Sequence, residues 1–200
     1  AEKSNNSPQI IKSLLYKSKF SLTLEENAQL KIINQFKQQI DKNLFPTKNI
    51  LENILANLYW QYFNQNRWKF YQRTNTTEKV DENDFRTWDL NTLFAEIHKH
   101  YQKSLENGLL LQQTNIDKFE EILHSVKDSK KYRPTLFDFL AHNALKFYKT
   151  TETNITKPAY QFKIDNPDFI STAKVFSRLN LSTKDNLSLQ FNALKIYQEL

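Results

Sequence analysis

The 200-residue sequence contains no cysteine, no methionine and a single glycine, Gly108. Without cysteine the chain has no disulfide, no thiolate nucleophile, no thioester and no cysteine-based zinc or iron–sulfur site. One glycine excludes a glycine-rich phosphate loop, a dinucleotide fingerprint and the strained turn that carries a lipase-type nucleophile. The enzyme classes that such motifs identify are therefore excluded, and we expect neither a cofactor nor a metal site.

The missing methionine also bears on where the chain comes from. A natural chain begins with methionine, so its absence indicates a processed or excised fragment. The apolar positions of the last helical pattern continue to the final residue, Leu200, with no glycine or proline to stop the helix. We therefore expect the chain to be a fragment of a larger multidomain protein.

The balance of charge favours an unspecialised surface. The net charge of +6 invites a nucleic-acid interpretation. However, each half of the chain carries 14 basic and 11 acidic residues, and lysine outnumbers arginine 23 to 5. Base recognition and bidentate phosphate binding favour arginine. We expect a solvated surface, with a nucleic-acid-binding module as the alternative.

Helix signals recur along the whole chain and predict an all-α fold of about eight helices. Their starts near residues 8, 24, 48, 89, 115, 135, 167 and 185 are too irregularly spaced for a fixed repeat. We predict a solenoid-like array of helical hairpins in a single domain over 1–200, with 74–88, which includes a polar loop over 74–87, as the place for any subdivision. Alternating residues predict an extended arm near 158–166, whose aromatic side chains lie in grooves between helices.

Local patterns give finer expectations for the first half of the chain. Residues 23–26 form a capping-box pattern that predicts the start of the second helix. The third helix has an apolar stripe that includes Leu55, with Glu52, Asn53, Asn57 and Gln61 on the opposite face. Gly108 is expected to take the left-handed conformation that ends the fourth helix.

The starts of the later helices are predicted in the same way. Asp89 is expected to cap the helix that Gly108 ends. Asn166-Pro167 predicts a helix that continues through Phe176. The helix that starts near Pro134 is apolar on most sides, which is typical of a central helix.

Candidate chemistry is sparse. His98 and His100 are two residues apart, on nearly opposite faces of a helix, so they cannot share a metal as an i,i+4 pair would. Asp138 and His142 are four residues apart and allow a hydrogen bond that would orient a catalytic base. A structural pair is the preferred interpretation, because no nucleophile or metal partner accompanies them.

The segment 67–73 interleaves basic and aromatic residues. Trp68 and Tyr71 within it could stack bases, and Arg67, Lys69 and Arg73 could bind phosphates. The same composition suits the end of a core helix whose arginines fold back over carbonyl groups or pair with Asp89, and we prefer that interpretation. The nearby carboxylates of Asp81, Asp84 and Asp89 lack calcium-loop spacing and are interpreted as an ordinary acidic loop.

An ordered string of uncommon residues supplies a family resemblance. Its first part is 58–68 (LYWQYFNQNRW), then 73–74 (RT) and 87–90 (TWDL), and its second part is 133–142 (RPTLFDFLAH) and 156–162 (TKPAYQF). The string resembles the N-terminal helical region of very large bacterial alpha-2-macroglobulin-like proteins, over about three-quarters of the chain from Ile50. Its signature positions, which we expect to serve interaction or structure, are Arg67, Trp68, Arg73, Trp88, Asp89, Arg133, Asp138 and His142.

The resemblance implies a part of a secreted or envelope-anchored protease trap, an endopeptidase inhibitor built from many domains. The thioester of such proteins requires a cysteine, and the bait segment lies downstream among β-sandwich domains, so no catalytic residue carries over. What remains for this chain is a non-enzymatic scaffold or interaction role outside the cytoplasm. The implied partners are the downstream domains of the same polypeptide, together with proteases or envelope proteins.

Overall fold

A computed structural model of the chain describes residues 6–73, 81–124, 126–150 and 161–200. Within these ranges the chain is helical and contains one isolated β-bridge but no strand, which confirms the all-α prediction. The α-helices are α1 (Ser7–Leu24), α2 (Ala28–Lys42), α3 (Thr47–Tyr71), α4 (Leu90–Leu105), α5 (Gly108–Gln112), α6 (Ser129–Tyr132), α7 (Leu136–Tyr148), α8 (Ala173–Phe176) and α9 (Leu189–Glu199). Short 3-10 segments cover Phe85–Thr87, Ile116–Ile122 and Pro167–Ile170. None of the helices in the described ranges is long and apolar enough to cross a membrane.

Contacts divide the chain into two compact units, 1–140 and 141–200, and α7 runs across the division. In the first unit α3 packs mainly on α4, α2 packs on α3, and α1 packs on α2 and on the segment Ile116–Ile122. The single domain and the solenoid-like array remain predictions. The subdivision suggested near 74–88 lies inside the first unit.

The capping-box prediction for 23–26 is wrong. Helix α1 continues to Leu24, and α2 begins only at Ala28. The hydroxyl of Thr23 donates to the carbonyl of Lys19 one turn earlier, at 3.2 Å. Because this hydroxyl is bonded within its own helix, it does not cap the next one.

The apolar stripe of α3 is buried at Leu55 and Tyr59 as predicted, but the opposite face is exposed only in part, at Asn57 and Gln61. Leu55 and Tyr59 are fully buried, and so are Glu52 and Asn53. Helix α3 packs against both α2 and α4, which covers more than one of its faces. The prediction that Glu52 and Asn53 face solvent is therefore wrong.

Near its C-terminal end α3 bends at Asn66, whose φ and ψ of −124° and 21° are not helical. The side-chain Nδ2 of Asn66 donates to the carbonyl of Tyr62 at 2.9 Å, one turn earlier. This hydrogen bond gives that carbonyl a partner where the helix geometry is interrupted. The last turn, which contains Trp68 and Phe70, therefore follows a kink.

Helix α4 begins as predicted and ends differently. The Asp89 carboxylate accepts a hydrogen bond from the Thr92 amide at 2.8 Å, so Asp89 is the N-cap. At the other end Asn107 takes the left-handed conformation, with φ of 62°, whereas Gly108 is the first residue of α5. The prediction for Gly108 is wrong because asparagine also tolerates this conformation.

In the second unit, one predicted helix is two short ones. The Asn166 side chain accepts from the Asp168 amide at 2.9 Å and caps the segment Pro167–Ile170, as the sequence suggested. The next residue, Ser171, has extended backbone angles, and helix α8 forms only afterwards. The continuous helix predicted through Phe176 is therefore wrong.

The arm predicted near 158–166 is described from residue 161 onward. Residues 161–166 have no helical or strand structure, and the Phe162 ring contacts the rings of Phe169 and Phe191. The centroid distances are 6.1 and 5.4 Å. Ile164 is exposed, and the part of the prediction that concerns 158–160 lies outside the described residues.

Candidate functional site

A group of polar side chains is buried where α3 meets α4. Its members are Asn49, Glu52, Asn53, Glu96, His100 and Ser104. Burying a polar group without a partner is costly, and burying a charge without one is costlier still. The hydrogen bonds within this group therefore determine how the two helices can pack.

Two asparagines of α3 satisfy backbone and side-chain groups near the end of α4. Nδ2 of Asn49 donates to the carbonyls of Ser104, at 3.2 Å, and Glu106, at 2.9 Å. Nδ2 of Asn53 donates to the Ser104 hydroxyl and to the Leu140 carbonyl, both at 3.1 Å. Because the last carbonyls of a helix lack partners within that helix, Asn49 acts as a C-terminal cap supplied from outside.

His100 lies at the centre of a charged cluster made with Glu52 and Glu96. Its Nδ1 is hydrogen-bonded to Oε2 of Glu52, and its Nε2 lies 3.2 Å from Oε1 of Glu96. The exposed fractions are 6% for His100, 1% for Glu52 and 8% for Glu96. Glu96 is also 3.1 Å from Nζ of Lys99, which reaches it from the surface. The imidazole is thus held between two carboxyl groups in the interior.

The electrostatics of the cluster favour the charged forms of His100 and Glu96. Burial disfavours ionisation at His100, but the hydrogen bonds to Glu52 and Glu96 outweigh it and raise the pKa of the imidazole. Burial likewise opposes ionisation of Glu96, yet the hydrogen bonds from His100 and Lys99 hold its pKa below the ordinary value. At the neighbouring His98, burial lowers the pKa. The pKa values of the two histidines of this helix are therefore shifted in opposite directions.

Tyr59 stacks on the His100 ring. Their ring centroids are 5.9 Å apart and the planes are inclined by 24°. The same tyrosine packs against Phe85, at 5.2 Å, and Trp88, at 5.9 Å. Its hydroxyl is buried and has no hydrogen-bond partner among the described residues. Burial, and then the charge of Glu96, raises the pKa of Tyr59, so the hydroxyl stays neutral.

The chemistry open to this cluster follows from its geometry. An imidazole oriented by a carboxylate is a common general base, provided that its other nitrogen faces the substrate. In this protein the other nitrogen of His100 faces Glu96, and the ring of Tyr59 lies over the imidazole. Across the described ranges, no set of three or more His, Asp or Glu side chains is placed to hold a metal ion. The arrangement is suited to joining α3 to α4.

Two of the signature residues meet near the end of α3. Nη1 of Arg73 donates to the Trp88 carbonyl at 2.6 Å, and the guanidinium lies 4.8 Å from the Phe70 ring centroid. Trp88 is buried, and its indole Nε1 donates to the Asp81 carbonyl at 2.6 Å. Arg73 and Trp88 thus connect the end of α3 to the segment that precedes α4.

The loop before α4 is more ordered than its composition suggested. Residues 74–80 lie outside the described ranges, but Phe85–Thr87 form a 3-10 turn in which Phe85 is buried. Asp84 caps this turn by accepting from the Arg86 amide at 3.0 Å, and it pairs with the Arg86 guanidinium at 2.7 Å. The hydrogen bond from that guanidinium lowers the pKa of Asp84. Asp84 and Asp89 are therefore capping residues of consecutive helical segments.

The other residues of 67–73 divide between surface and interior. Phe70 is buried, whereas Trp68 and Tyr71 are exposed. Nζ of Lys69 lies 5.4 Å from the Trp68 ring centroid, and the Arg67 guanidinium lies 5.6 Å from that of Phe63. The last turn of α3 therefore presents an aromatic and cationic surface to solvent.

The signature residues of 133–142 include a cap at the start of α7. Arg133 is exposed and His142 is half-buried. The Asp138 carboxylate accepts hydrogen bonds from the amide and hydroxyl of Thr135, at 2.9 and 2.8 Å. The Asp138 amide points back to the Thr135 hydroxyl at 3.2 Å, which completes a reciprocal cap at the start of α7. The Asp138–His142 pair stays a prediction.

Sequence reasoning missed the residues of the buried cluster. Glu96 and His100 are four positions apart on an amphipathic helix. This spacing predicts that they are in contact, and it could be recognised in the sequence. Glu52 belongs to another helix, 48 positions from His100, and no local pattern links them.

No family model, curated protein or solved structure matches this chain. The resemblance to alpha-2-macroglobulin-like proteins therefore depends on the sequence motifs alone. A functional interpretation has to combine those motifs with the geometry of the buried cluster.

Proposed function

We propose that this chain is a non-catalytic helical scaffold and interaction domain in the N-terminal part of an alpha-2-macroglobulin-like protease-trapping protein. The observation that carries the non-catalytic part is the position of His100, buried with one ring nitrogen toward each of two glutamates. The group of side chains that most resembles a catalytic site, Glu52, Glu96 and His100, therefore holds α3 against α4. A scaffold needs such fixed helix packing, whereas a general base needs an open nitrogen.

The signature residues support the same role. Arg73 and Trp88 join neighbouring segments, and Asp89 and Asp138 cap helices. These contacts give the residues of the motif string a physical reason to occur together without any reaction. We propose that the parent protein acts outside the cytoplasm, with its own downstream domains, proteases or envelope proteins as partners.

The family part of the proposal is tested by the reading frame that encodes this chain. We expect it to continue beyond Leu200 into β-sandwich domains, with a bait segment among them. A reading frame that stops or continues into another architecture contradicts the family assignment. It does not bear on the non-catalytic role, which is tested separately.

The non-catalytic part is tested by assaying the chain against broad panels of ester, peptide and phosphate substrates. We expect no turnover above that of a His100→Gln variant. Turnover by the wild-type chain that disappears in a folded His100→Gln or His142→Ala variant would show that the chain is an enzyme.

A second candidate function is nucleic-acid binding by the last turn of α3. The observation that favours it is the exposure of Trp68 and Tyr71 beside Lys69. Such surfaces stack unpaired bases, and their binding weakens steeply with salt. A mobility shift of a single-stranded oligonucleotide at low salt, abolished by Trp68→Ala, would support this function. No shift at low salt would exclude it.

A further inference from the structure

Helix α1 has two apolar faces, of which only one is covered. Ile10, Ile11 and Leu14 are buried against the rest of the first unit. Five other large apolar side chains of the same helix are exposed, namely Leu15, Tyr16, Phe20, Leu22 and Leu24. Three of these follow one another at a spacing of four residues and form a row along the outer face.

We call this row, Tyr16, Phe20 and Leu24, the α1 ridge. Its side chains are 55%, 61% and 79% exposed. The row is about 12 Å long, since a helix rises roughly 1.5 Å per residue. An exposed apolar surface of this kind on a soluble protein usually marks a place of contact.

The charges of helix α1 itself are of one sign. Helix α1 contains three lysines, Lys12, Lys17 and Lys19, and no acidic residue. At a spacing of three, Lys19 flanks Tyr16 and Lys17 flanks Phe20, on opposite sides of the row. Both of these lysines are exposed. The surface is therefore complementary to an anionic and partly apolar one.

Two acidic side chains near the ends of the helix are engaged in hydrogen bonds or ion pairs. Glu121 accepts a hydrogen bond from Gln9 in the first turn of α1. Glu25 follows the last turn, and its carboxylate is 2.9 Å from Nζ of Lys31 on α2. One engaged carboxylate therefore lies near each end of α1.

We propose that the α1 ridge binds the surface of an anionic phospholipid bilayer. Lysine and apolar side chains alternate around the outer face of α1 instead of separating into two stripes. A bilayer interface accommodates this mixture, because rings enter the headgroup region while lysine side chains extend to the phosphates. A glutamate-rich amphipathic helix is the alternative occupant of the same row, and the last arm of the test distinguishes it from the bilayer.

This inference goes beyond the scaffold role and does not depend on it. Each lysine near an anionic surface adds favourable electrostatic energy, and each buried ring adds apolar transfer energy. We therefore expect binding to require both anionic lipid and the ridge, and to weaken as salt is raised.

The test is cosedimentation of the 200-residue chain with vesicles. One set is phosphatidylcholine alone and the other contains about one-third phosphatidylserine. We expect partitioning at least about 10-fold stronger on the anionic vesicles at low salt. Equal partitioning on both sets, or none on either, overturns the proposal.

Paired variants assign the binding to the ridge. We expect Tyr16→Ser/Phe20→Ser to lower partitioning by about 10-fold or more. The matched control is Leu109→Ser/Tyr132→Ser, which removes two exposed apolar side chains elsewhere in the first unit and should leave binding unchanged. Equal effects of the two double variants overturn the proposal.

The charge requirement has its own pair of variants. Lys17→Gln/Lys19→Gln should reduce binding to anionic vesicles, whereas Lys42→Gln/Lys48→Gln, at exposed positions outside α1, should reduce it much less. A last arm adds a glutamate-rich amphipathic helical peptide. If the peptide binds through Tyr16 and Phe20 while vesicles do not bind, the partner is a protein and the lipid proposal is wrong.

Discussion

Nδ1 of His100 on α4 is hydrogen-bonded to Oε2 of Glu52 on α3, across 48 positions of sequence. This bond closes a chain of side chains that continues from His100 to Glu96 and from Glu96 to Lys99 at the surface. Contacts between packed helices are usually apolar, whereas α3 and α4 also share a buried group of ionisable side chains. Packing of α3 on α4 is therefore sensitive to any change that leaves one member of the cluster alone.

Removing the imidazole alone should strongly destabilise the fold. In His100→Leu the carboxyl groups of Glu52 and Glu96 stay buried without their central partner, and we expect a loss of about 3–5 kcal/mol of unfolding free energy. In Glu52→Leu/His100→Leu much of this loss should be recovered, because apolar groups of similar volume replace the pair. Denaturant unfolding followed by circular dichroism measures both.

The control for this prediction is Lys99→Ala, which removes the surface partner of Glu96. Its Nζ is half-exposed, so its loss should cost only about 0–1 kcal/mol. If His100→Leu costs no more than Lys99→Ala, the buried cluster does not hold the helices together.

The unfolding free energy should fall as the solution becomes alkaline. Because the pKa of His100 is raised in the folded state, its contribution is fully present below its unfolded value near 6.5 and is lost as pH rises through the folded value. The pKa of Glu96 is lowered, so its contribution is present above about 4.5 and is lost as pH falls through its folded value. Both contributions are complete between roughly pH 4.5 and 6.5.

The measurement is denaturant unfolding across this range and up to about pH 9, in wild type and His100→Gln. The variant should lack the decline that accompanies deprotonation of His100. His98 acts in the opposite direction, since burial lowers its pKa, so the comparison is best repeated in a His98→Gln background. If the unfolding free energy of the His98→Gln protein rises above about pH 6.5, the assignment of the decline to His100 is wrong.

Tyr59→Phe should be neutral or stabilising. The ring of Tyr59 stacks on His100 and contacts Phe85 and Trp88, and phenylalanine keeps those contacts. The hydroxyl is buried without a partner among the described residues, so removing it relieves a cost that ranges up to about 1–3 kcal/mol. Calorimetry should show an unchanged or raised melting temperature, and Tyr59→Ala provides the contrast of a lost ring. A large destabilisation by Tyr59→Phe would mean that the hydroxyl is hydrogen-bonded in solution.

Local signals predicted the helices because those signals act within a few residues. Asp89 caps α4 by accepting a hydrogen bond from the amide three residues later. Asn166 caps the segment Pro167–Ile170 by accepting from the amide two residues later. Such hydrogen bonds depend on the sequence immediately around them, and the spacing of Leu55 and Tyr59 marks a buried face for the same reason. The existence and approximate position of the main helices could therefore be read before the structure.

The buried cluster could not be read in the same way. Whether Glu52 faces solvent depends on α4 covering a second side of α3, which is a tertiary contact. The choice of Asn107 over Gly108 as the left-handed residue is likewise decided by where α5 begins. Of the cluster, only the spacing of Glu96 and His100 was visible in the sequence.

Asp138 and Thr135 should behave as one unit in stability experiments. Each side chain accepts a hydrogen bond from the backbone amide of the other residue. The distances are 2.9 Å to the Asp138 carboxylate and 3.2 Å to the Thr135 hydroxyl. Asp138→Ala should therefore cost about 1 kcal/mol, as other lost caps do. Thr135→Ala should cost a similar amount, and the double variant should cost less than the sum, because each single change already breaks the reciprocal pair.

Lys146→Ala, at an exposed position of the same helix, should change stability by less than about 0.5 kcal/mol. Fully additive costs of Asp138→Ala and Thr135→Ala would show that the two residues do not act through a shared cap.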